Sequence, residues 1–444
     1  MTTQIFMAST LYGTATLAAA LDAGCFKPAD RRILLVSNNA MTPETTPALD
    51  EMPGFERLRP RFDEVVSWNE AIFPFHPGAW APRPDDIPMW ERYLRLAWNL
   101  GDDDVSLAVE SIQVNPALGV AQILTDAPLT VYADGLMSYG PTRNKLDPLV
   151  GTRVARLLHL DLVPGLRPLL LTEFGVPPEV VPTGAFTKVL AELVDTGADL
   201  PRVEEPALLL GQYLSALKIL TAEQEEELHV RMLKGAVELG HTRIVFKPHP
   251  TAPARFTHTL EETAERLGVD LTVLDTPVLA EVLYQRMRPA LVVGCFSTAL
   301  LTASALYGLP VARIGTDTLL DRLTPFENSN RMPVTIVDAV LPDLADPAAV
   351  TGRRPGMDTD ALAALVRAVG YTMQPRILPE LRPETEKYLS TRLDEGTWRY
   401  FKRKRLTSLG LPGGVPEKLA FLPRNATARR IVRRARSLKR SMKR

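Results

Sequence analysis

Two successive series of short apolar runs, each followed by a helix-length segment, constrain the fold of this chain more than any other feature. In the first series, residues 5–8 lead through Ser9-Thr10 into a helical stretch around 17–21, and residues 32–37 end on the turn pair Asn38-Asn39. Residues 105–109 and 129–132 read as two further strands, with a helix-like 116–124 between them. The second series opens with a strand at 207–210 and a charged helix at 222–239 that Thr221 can cap. Strands at 244–246, 271–274 and 291–293 then alternate with helices at 259–267, 279–287 and 298–307. Strands alternating with helical segments indicate βαβ units and a parallel sheet. The expectation is an α/β protein built from two Rossmann-like, doubly wound domains.

Residues 172–206 are rich in Pro, Gly and acidic side chains, lack a long apolar pattern and form the expected linker. The division is then a first domain with its linker at 1–205, a second at 206–375, a helical segment at 376–423 packing back on the body, and a basic tail at 424–444. A chain of 444 residues is too long for one ordinary core, and 45% hydrophobic with 23% charged residues excludes a disordered or fibrous protein. The two cysteines, Cys25 and Cys295, make neither a disulfide framework nor a metal cluster, which points to a reducing cytoplasm. The apolar start up to Leu21 lacks the basic flank of a signal peptide. The run at 157–171 is broken by His159, Asp161, Pro164, Arg167 and Pro168, too often for a membrane span.

Ligands of open α/β sheets bind beyond the carboxyl ends of the strands, so the residues that follow each apolar run are the candidates for chemistry. Arg243-Ile244-Val245-Phe246 runs straight into Lys247-Pro248-His249-Pro250. The prolines stiffen the turn, so an imidazole there has little ordering entropy left to lose. Protonated His249, with Lys247 beside it, can donate to a phosphate oxygen as charge develops. The plainer alternative is a proline-stabilised turn with a capping histidine. A second segment, Leu291 to Gly294 followed by Ser297-Thr298, ends a strand and opens an apolar helix. Free N–H groups and hydroxyls at such a helix start favour an anion, although an ordinary Ser N-cap gives the same sequence. The third segment, Val131-Tyr132-Ala133-Asp134-Gly135, ends a strand on an acid that Gly135 lets turn into a cleft. Asp134 can take a proton from an acceptor hydroxyl, Asp-Gly is also a common turn, and Glu110 at another strand end is the fallback base. The other histidines, His76, His159, His229, His241 and His258, show no ligand spacing.

In this order, Asp134-Gly135, His249-Pro250 and Ser297-Thr298 resemble the three short motifs of bacterial sialyltransferases, specifically the α-2,8-polysialyltransferase and lipooligosaccharide sialyltransferase group. Gly211-Gln212, just after the strand at 207–210, resembles the opening of that group's second domain. The resemblance runs over roughly residues 1–330 and rests on order and context, since no motif exceeds a few residues. It implies a GT-B fold with two domains facing a central cleft. It also implies a CMP-sialic acid donor or a related CMP-linked acidic sugar, a glycan or glycolipid acceptor, inversion at the anomeric carbon, and no metal or other cofactor. Carried onto this chain, Asp134 is the general base and His249 the acid that stabilises the departing CMP phosphate. Gly211, Gln212, Lys247, Pro250, Gly294, Ser297 and Thr298 are the expected donor-binding residues, and Ser9, Thr10 and Glu110 stand on the acceptor side. Ala133 departs from the family, which usually has a second acid before the glycine. The base is then Asp134, another carboxylate, or missing.

The net charge of −1 conceals an asymmetry: residues 424–444 hold ten Lys or Arg and no acid, which leaves about −11 for residues 1–423. A surface-glycan transferase works at the inner leaflet, where each basic residue near anionic lipid contributes about 1 kcal/mol. The expectation is a cytoplasmic protein with peripheral membrane contact through this tail, acting in capsule or cell-surface polysaccharide biosynthesis and not on nucleic acid. The competing readings are a GT-B cell-wall transferase with another nucleotide donor and a non-catalytic nucleotide-sugar or glycan binder.

Overall fold

A computed structural model describes residues 1–195, 200–249, 255–274, 276–352 and 356–415. Pro250 and the basic tail at 424–444 lie outside the described residues. Seven parallel strands build the first sheet: β1 (Thr2–Ala8), β2 (Arg31–Val36), β3 (Glu64–Ser67), β4 (Asp104–Glu110), β5 (Leu129–Ala133), β6 (Val154–His159) and β7 (Pro178–Val180). Their spatial order is β3-β2-β1-β4-β5-β6-β7. The second sheet holds β8 (Ala207–Leu210), β9 (Arg243–Lys247), β10 (Asp270–Val273), β11 (Leu291–Gly294) and β12 (Val311–Arg313), ordered β10-β9-β8-β11-β12 and again parallel. Both sheets start at a central strand, wind outward one way, return and wind outward the other way. The chain order therefore reverses between β1 and β4 and between β8 and β11, and each reversal opens a crevice at the strands' carboxyl ends. This is the expected GT-B architecture.

Period-two alternation sorts the first sheet into two cores. Ile5, Met7, Ile33, Leu35 and Val131 pack on one face with Trp68, Leu94 and Trp98. Phe6, Leu34, Ala108 and Tyr132 face the other way, into an apolar layer continuous with the second domain. The domains thus share buried surface behind the cleft.

The expected linker is partly structured. Residues 178–180 add the edge strand β7, and helix Thr183–Glu192 buries Phe186, Val189 and Leu190 against helix Leu11–Asp22, with the rings of Tyr12 and Phe186 5.3 Å apart. The i, i+3, i+4 spacing of those three residues was present in the sequence, but ten residues between proline- and acid-rich flanks gave it little contrast. Edge strands β3 and β7, and β6 with half-buried Arg156 within it, were unforeseen for the same reason: none is a continuous apolar run.

The helices after residue 358 strap the domains together. Buried Asp338 accepts from Thr316 at 2.6 Å and from Tyr400 at 2.8 Å, and pairs with Arg313 at 3.1 Å. Arg405 donates to the carbonyls of Thr372 and Met373 at 2.7 and 3.0 Å. Gln374 reaches the first domain, donating to the Arg143 carbonyl at 2.7 Å.

Candidate active site

The two crevices face each other across a cleft of about 750 Å³. Its first wall is built at the ends of β1, β4 and β5. Thr10 caps helix Leu11–Asp22, its Oγ1 accepting from the Gly13 amide at 2.9 Å and making a long 3.5 Å contact with Asp134 Oδ2. Ser9 lies behind the wall and holds Glu110 Oε2 with its hydroxyl at 2.6 Å and its amide at 3.2 Å. Asp134 follows β5, next to β4, so two half-buried carboxylates stand together. Burial, and second the charge of Glu110, push Asp134 up to about 7. Burial likewise raises Glu110, against the lowering effect of the Ser9 bonds. Two acids that disfavour each other's charge leave one poised to gain or lose a proton near neutrality.

The second wall comes from the ends of β8, β9 and β11. At Gly211 a Cβ would lie 3.0 Å from the Phe246 ring and 3.2 Å from Pro248 Cα, so the bare backbone is what lets the His249 turn close over β8. Gln212 ties the strand ends together by accepting from the Phe296 amide at 2.8 Å. Ser297 is indeed an N-cap, with Oγ accepting from the Ala299 amide at 3.2 Å, yet it lines the cleft with Thr298 at the start of the ten-residue helix Thr298–Tyr307. Its hydroxyl proton stays available to a ligand, so capping and anion binding are compatible here.

Charge on this wall is restrained by burial. The Lys247 ammonium is pressed below its ordinary pKa by desolvation, which Glu281 partly opposes. Glu281 is raised by burial against a 2.7 Å bond from Thr302 and the attraction of Lys247. For both partners burial outweighs the pairing. His249 faces the cleft near the Tyr213 ring, 6.4 Å between centroids, and is lowered by burial first and by Lys247 second. Both effects push the ring toward its neutral form, which still carries one N–H donor, and an anion bound at the turn would oppose them.

Of the expected site residues, Thr10, Glu110, Asp134, Gly211, Gln212, Lys247, His249, Ser297 and Thr298 line the one cleft. Gly294 does not: it ends β11 beneath the wall, where a Cβ would meet Leu300 at 3.4 Å. Gly135 has an extended backbone at φ −143°, so it is not a sharp turn. Its role is contact, since a Cβ there would stand 3.0 Å from Thr298 Oγ1 on the opposite domain. Tyr12, Tyr213 and Glu281 also line the cleft and were not foreseen. Burial, then the charges of Glu281 and Asp134, raise the Tyr12 phenol well above its ordinary pKa, which keeps it a donor.

A sequence model described as alpha-2,8-polysialyltransferase matches residues 4–316, across both sheets and all the cleft segments. The chain belongs to the alpha-2,8-polysialyltransferase family. It is a glycosyltransferase, and membership implies a nucleotide-sugar donor and a glycan acceptor. Among solved structures, the GT-B domain of a Photobacterium damselae sialyltransferase is 12% identical, covering 75% of this chain and 95% of that one at a TM-score of 0.39. Phytolacca americana UGT2, complexed with UDP-2-fluoro-glucose and pterostilbene, is 14% identical, with 92% and 99% covered and a TM-score of 0.43. Acinetobacter baumannii MurG is 12% identical, with 87% and 95% covered and a TM-score of 0.39. TM-scores below 0.5 add no weight to the family match and the chain's own geometry. No curated protein sequence matches the chain. Among the described residues, no helix is long and apolar enough to cross a membrane.

Proposed function

We propose that this polysialyltransferase-family protein moves sialic acid, or a related acidic sugar, from a CMP donor to a glycan acceptor with inversion. The observation that carries this reading is the facing pair Asp134-Gly135 and Thr298, where a base on one domain stands across a narrow gap from an anion-binding helix start on the other. The acceptor hydroxyl gives its proton to Asp134 while its oxygen bonds to the anomeric carbon. The bond from that carbon to the phosphate oxygen breaks, and the electron pair leaves with CMP. His249 donates to that oxygen, and Lys247, Ser297, Thr298 and the helix end receive the rest of the charge. These groups take the place of a metal ion in neutralising the phosphate, so turnover is expected to withstand chelation. Tyr12 is a further donor within reach of the cleft.

Ala133 does not leave the wall without a second acid. Ala133 is buried in the first domain's core, while Glu110 on the neighbouring strand sets the charge of Asp134 from the side. We assign the base to Asp134 and the tuning of its pKa to Glu110.

Thermal stabilisation of the protein by CMP, compared with UDP, GDP and CDP, tests the donor. Stabilisation by UDP but not CMP removes the assignment. Turnover of CMP-sialic acid by wild type, Asp134→Ala and His249→Ala then separates an enzyme from a binder. Attachment to the inner membrane face through residues 424–444, in the service of cell-surface polysaccharide synthesis, belongs to the same proposal. Co-sedimentation with anionic liposomes, with and without that segment, decides it: equal binding of both forms removes the attachment.

A further inference from the structure

Met137 lines the first-domain side of the cleft and is 43% exposed. Immediately beyond stands Arg143, whose Nη2 lies 4.0 Å from the Met137 sulfur. The protein fixes this residue from two sides. After β4, Ser111 and Ile112 both take positive φ, 58° and 55°, a conformation that non-glycine residues rarely adopt. That turn brings Gln113 round to accept from the Arg143 amide at 2.5 Å. From the far end of the chain, Gln374 donates to the Arg143 carbonyl at 2.7 Å. The backbone is pinned by two side chains from distant parts of the sequence.

The guanidinium receives no such provision. Among the described residues no carboxylate pairs with it, and its buried Nε finds no acceptor. Glu173 bonds to Thr142, one residue back, and still makes no ion pair with Arg143. Burial alone governs the Arg143 pKa, lowering it, with no opposing charge to raise it. Other buried arginines are treated differently: Arg313 pairs with Asp338 and Asp343, and Arg331 donates to three carbonyls. Half-burying a guanidinium without an anion is costly, and a planar fork of donors suits a carboxylate or phosphate. Lys145 and Asn144 follow it as exposed neighbours, so no acid intervenes in sequence before Asp147.

We propose that Arg143 is an oxyanion subsite on the acceptor side, binding the carboxylate or phosphate of an acidic acceptor whose reacting hydroxyl lies at Asp134. The proposal rests on the transferase reading above and assigns a residue that reads the acceptor's charge. Arg143 binds and orients; it takes no part in bond making. Its effect falls on acceptor KM and on the discrimination between charged and neutral acceptors.

The test compares wild type, Arg143→Met and Arg143→Lys on three probes: a sialyl-lactoside, the same glycan with its carboxylate reduced to an alcohol, and a galactosyl phosphate. Transfer rates and calorimetric binding are measured for each, with donor hydrolysis and melting temperature as controls. Loss of a charge-assisted contact predicts about a 10- to 100-fold fall in kcat/KM for the acidic probes in Arg143→Met, mostly through KM. The reduced glycan and donor hydrolysis should be unchanged, and Arg143→Lys should regain part of the loss. A fall confined to the sialyl-lactoside identifies the anion as carboxylate, and one confined to the galactosyl phosphate as phosphate. An equal fall on charged and neutral probes, or none on either, overturns the subsite. If wild type transfers to no acceptor, the transferase reading fails by itself, and calorimetry still judges the subsite. Tighter binding of an acidic probe than of the reduced glycan, lost in Arg143→Met, supports it, and affinities shared by wild type and variant overturn it.

Discussion

His229 offers a way to weigh how firmly the His249 turn is held. It lies on helix Ala222–Glu238 beneath the second sheet, 3% exposed, with its ring centroid 5.0 Å from that of Phe246. Neither ring nitrogen finds a partner among the described residues, and burial alone lowers its pKa to about 4. An unfolded histidine titrates near 6.5, so between about 6.5 and 4 the unfolded chain holds a proton that the folded chain refuses. The folded pKa is depressed, and for a base this means that stability is intact above the unfolded pKa and falls as pH drops toward the folded one. With about 1.4 kcal/mol per unit, the loss is about 2 kcal/mol by pH 5 and approaches about 3 kcal/mol at pH 4. His229→Leu removes the titration and two unsatisfied nitrogens, so the variant should match or exceed wild type near pH 8 and gain steadily below 6.5. Urea unfolding of both proteins from pH 8 to 4.5 measures this directly. Parallel stability curves would refute the reasoning, because they would mean that the ring protonates in place. The consequence reaches the site: Phe246 immediately precedes Lys247 on β9, so acid acts on the strand that presents the donor-side cations.

Three further outcomes follow from the geometry. The rate should rise with pH through about 7 as Asp134 ionises, and Glu110→Gln, by deleting a like charge, should move that limb to lower pH; Asp134→Asn should cost on the order of 10²–10⁴-fold in kcat. Gly135→Val places side-chain atoms where Thr298 Oγ1 would stand 3.0 Å from Cβ, in a backbone any residue can adopt, so turnover should fall sharply while the melting temperature changes little. Asp338→Ala leaves Arg313 only Asp343 of its two carboxylates and removes the acceptor of Tyr400, and chemical denaturation should show a loss of about 1–3 kcal/mol.

The sequence made the central strands and the site segments legible because each combines a continuous apolar run with abrupt punctuation: Gly211-Gln212 after 207–210, Lys247-Pro248-His249 after Phe246, Ser297-Thr298 after Gly294. Edge strands were hidden because a strand paired on one side need not be apolar throughout; β7 is Pro-Glu-Val, with all three residues exposed. Glu281 was missed for a different reason. It looks like an ordinary first-turn acid of helix Ala280–Met287, favoured there by the helix dipole, and only the folded chain brings its charge to bear on Lys247. Tyr12 and Arg143 matter through contacts with residues far away in sequence, which no local pattern encodes. Gly294 was misplaced by the converse error, since a glycine at a strand end beside an anion-binding helix suggested access, while the fold gives it to Leu300.

The two walls of the cleft are electrostatic opposites held in the same condition. On the first domain, burial raises Asp134 and Glu110; on the second, it lowers Lys247 and His249. In each case the low-dielectric setting disfavours the charged form. A nucleotide phosphate entering the second wall brings negative charge beside Lys247 and His249, which raises their pKa values and strengthens their hold on it in the same step. An acceptor hydroxyl on the first wall meets an acid whose pKa near 7 makes it a stronger base than an ordinary aspartate. Thr298 and Gly135 set these two events side by side across the gap. Donor binding should therefore take up protons between the ligand-free and ligand-bound pKa values of His249. Calorimetry of CMP binding in buffers of different ionisation enthalpy near pH 7 measures that uptake. Binding with no proton exchange in wild type, or with the same exchange in His249→Ala, would separate the charge on this wall from the histidine.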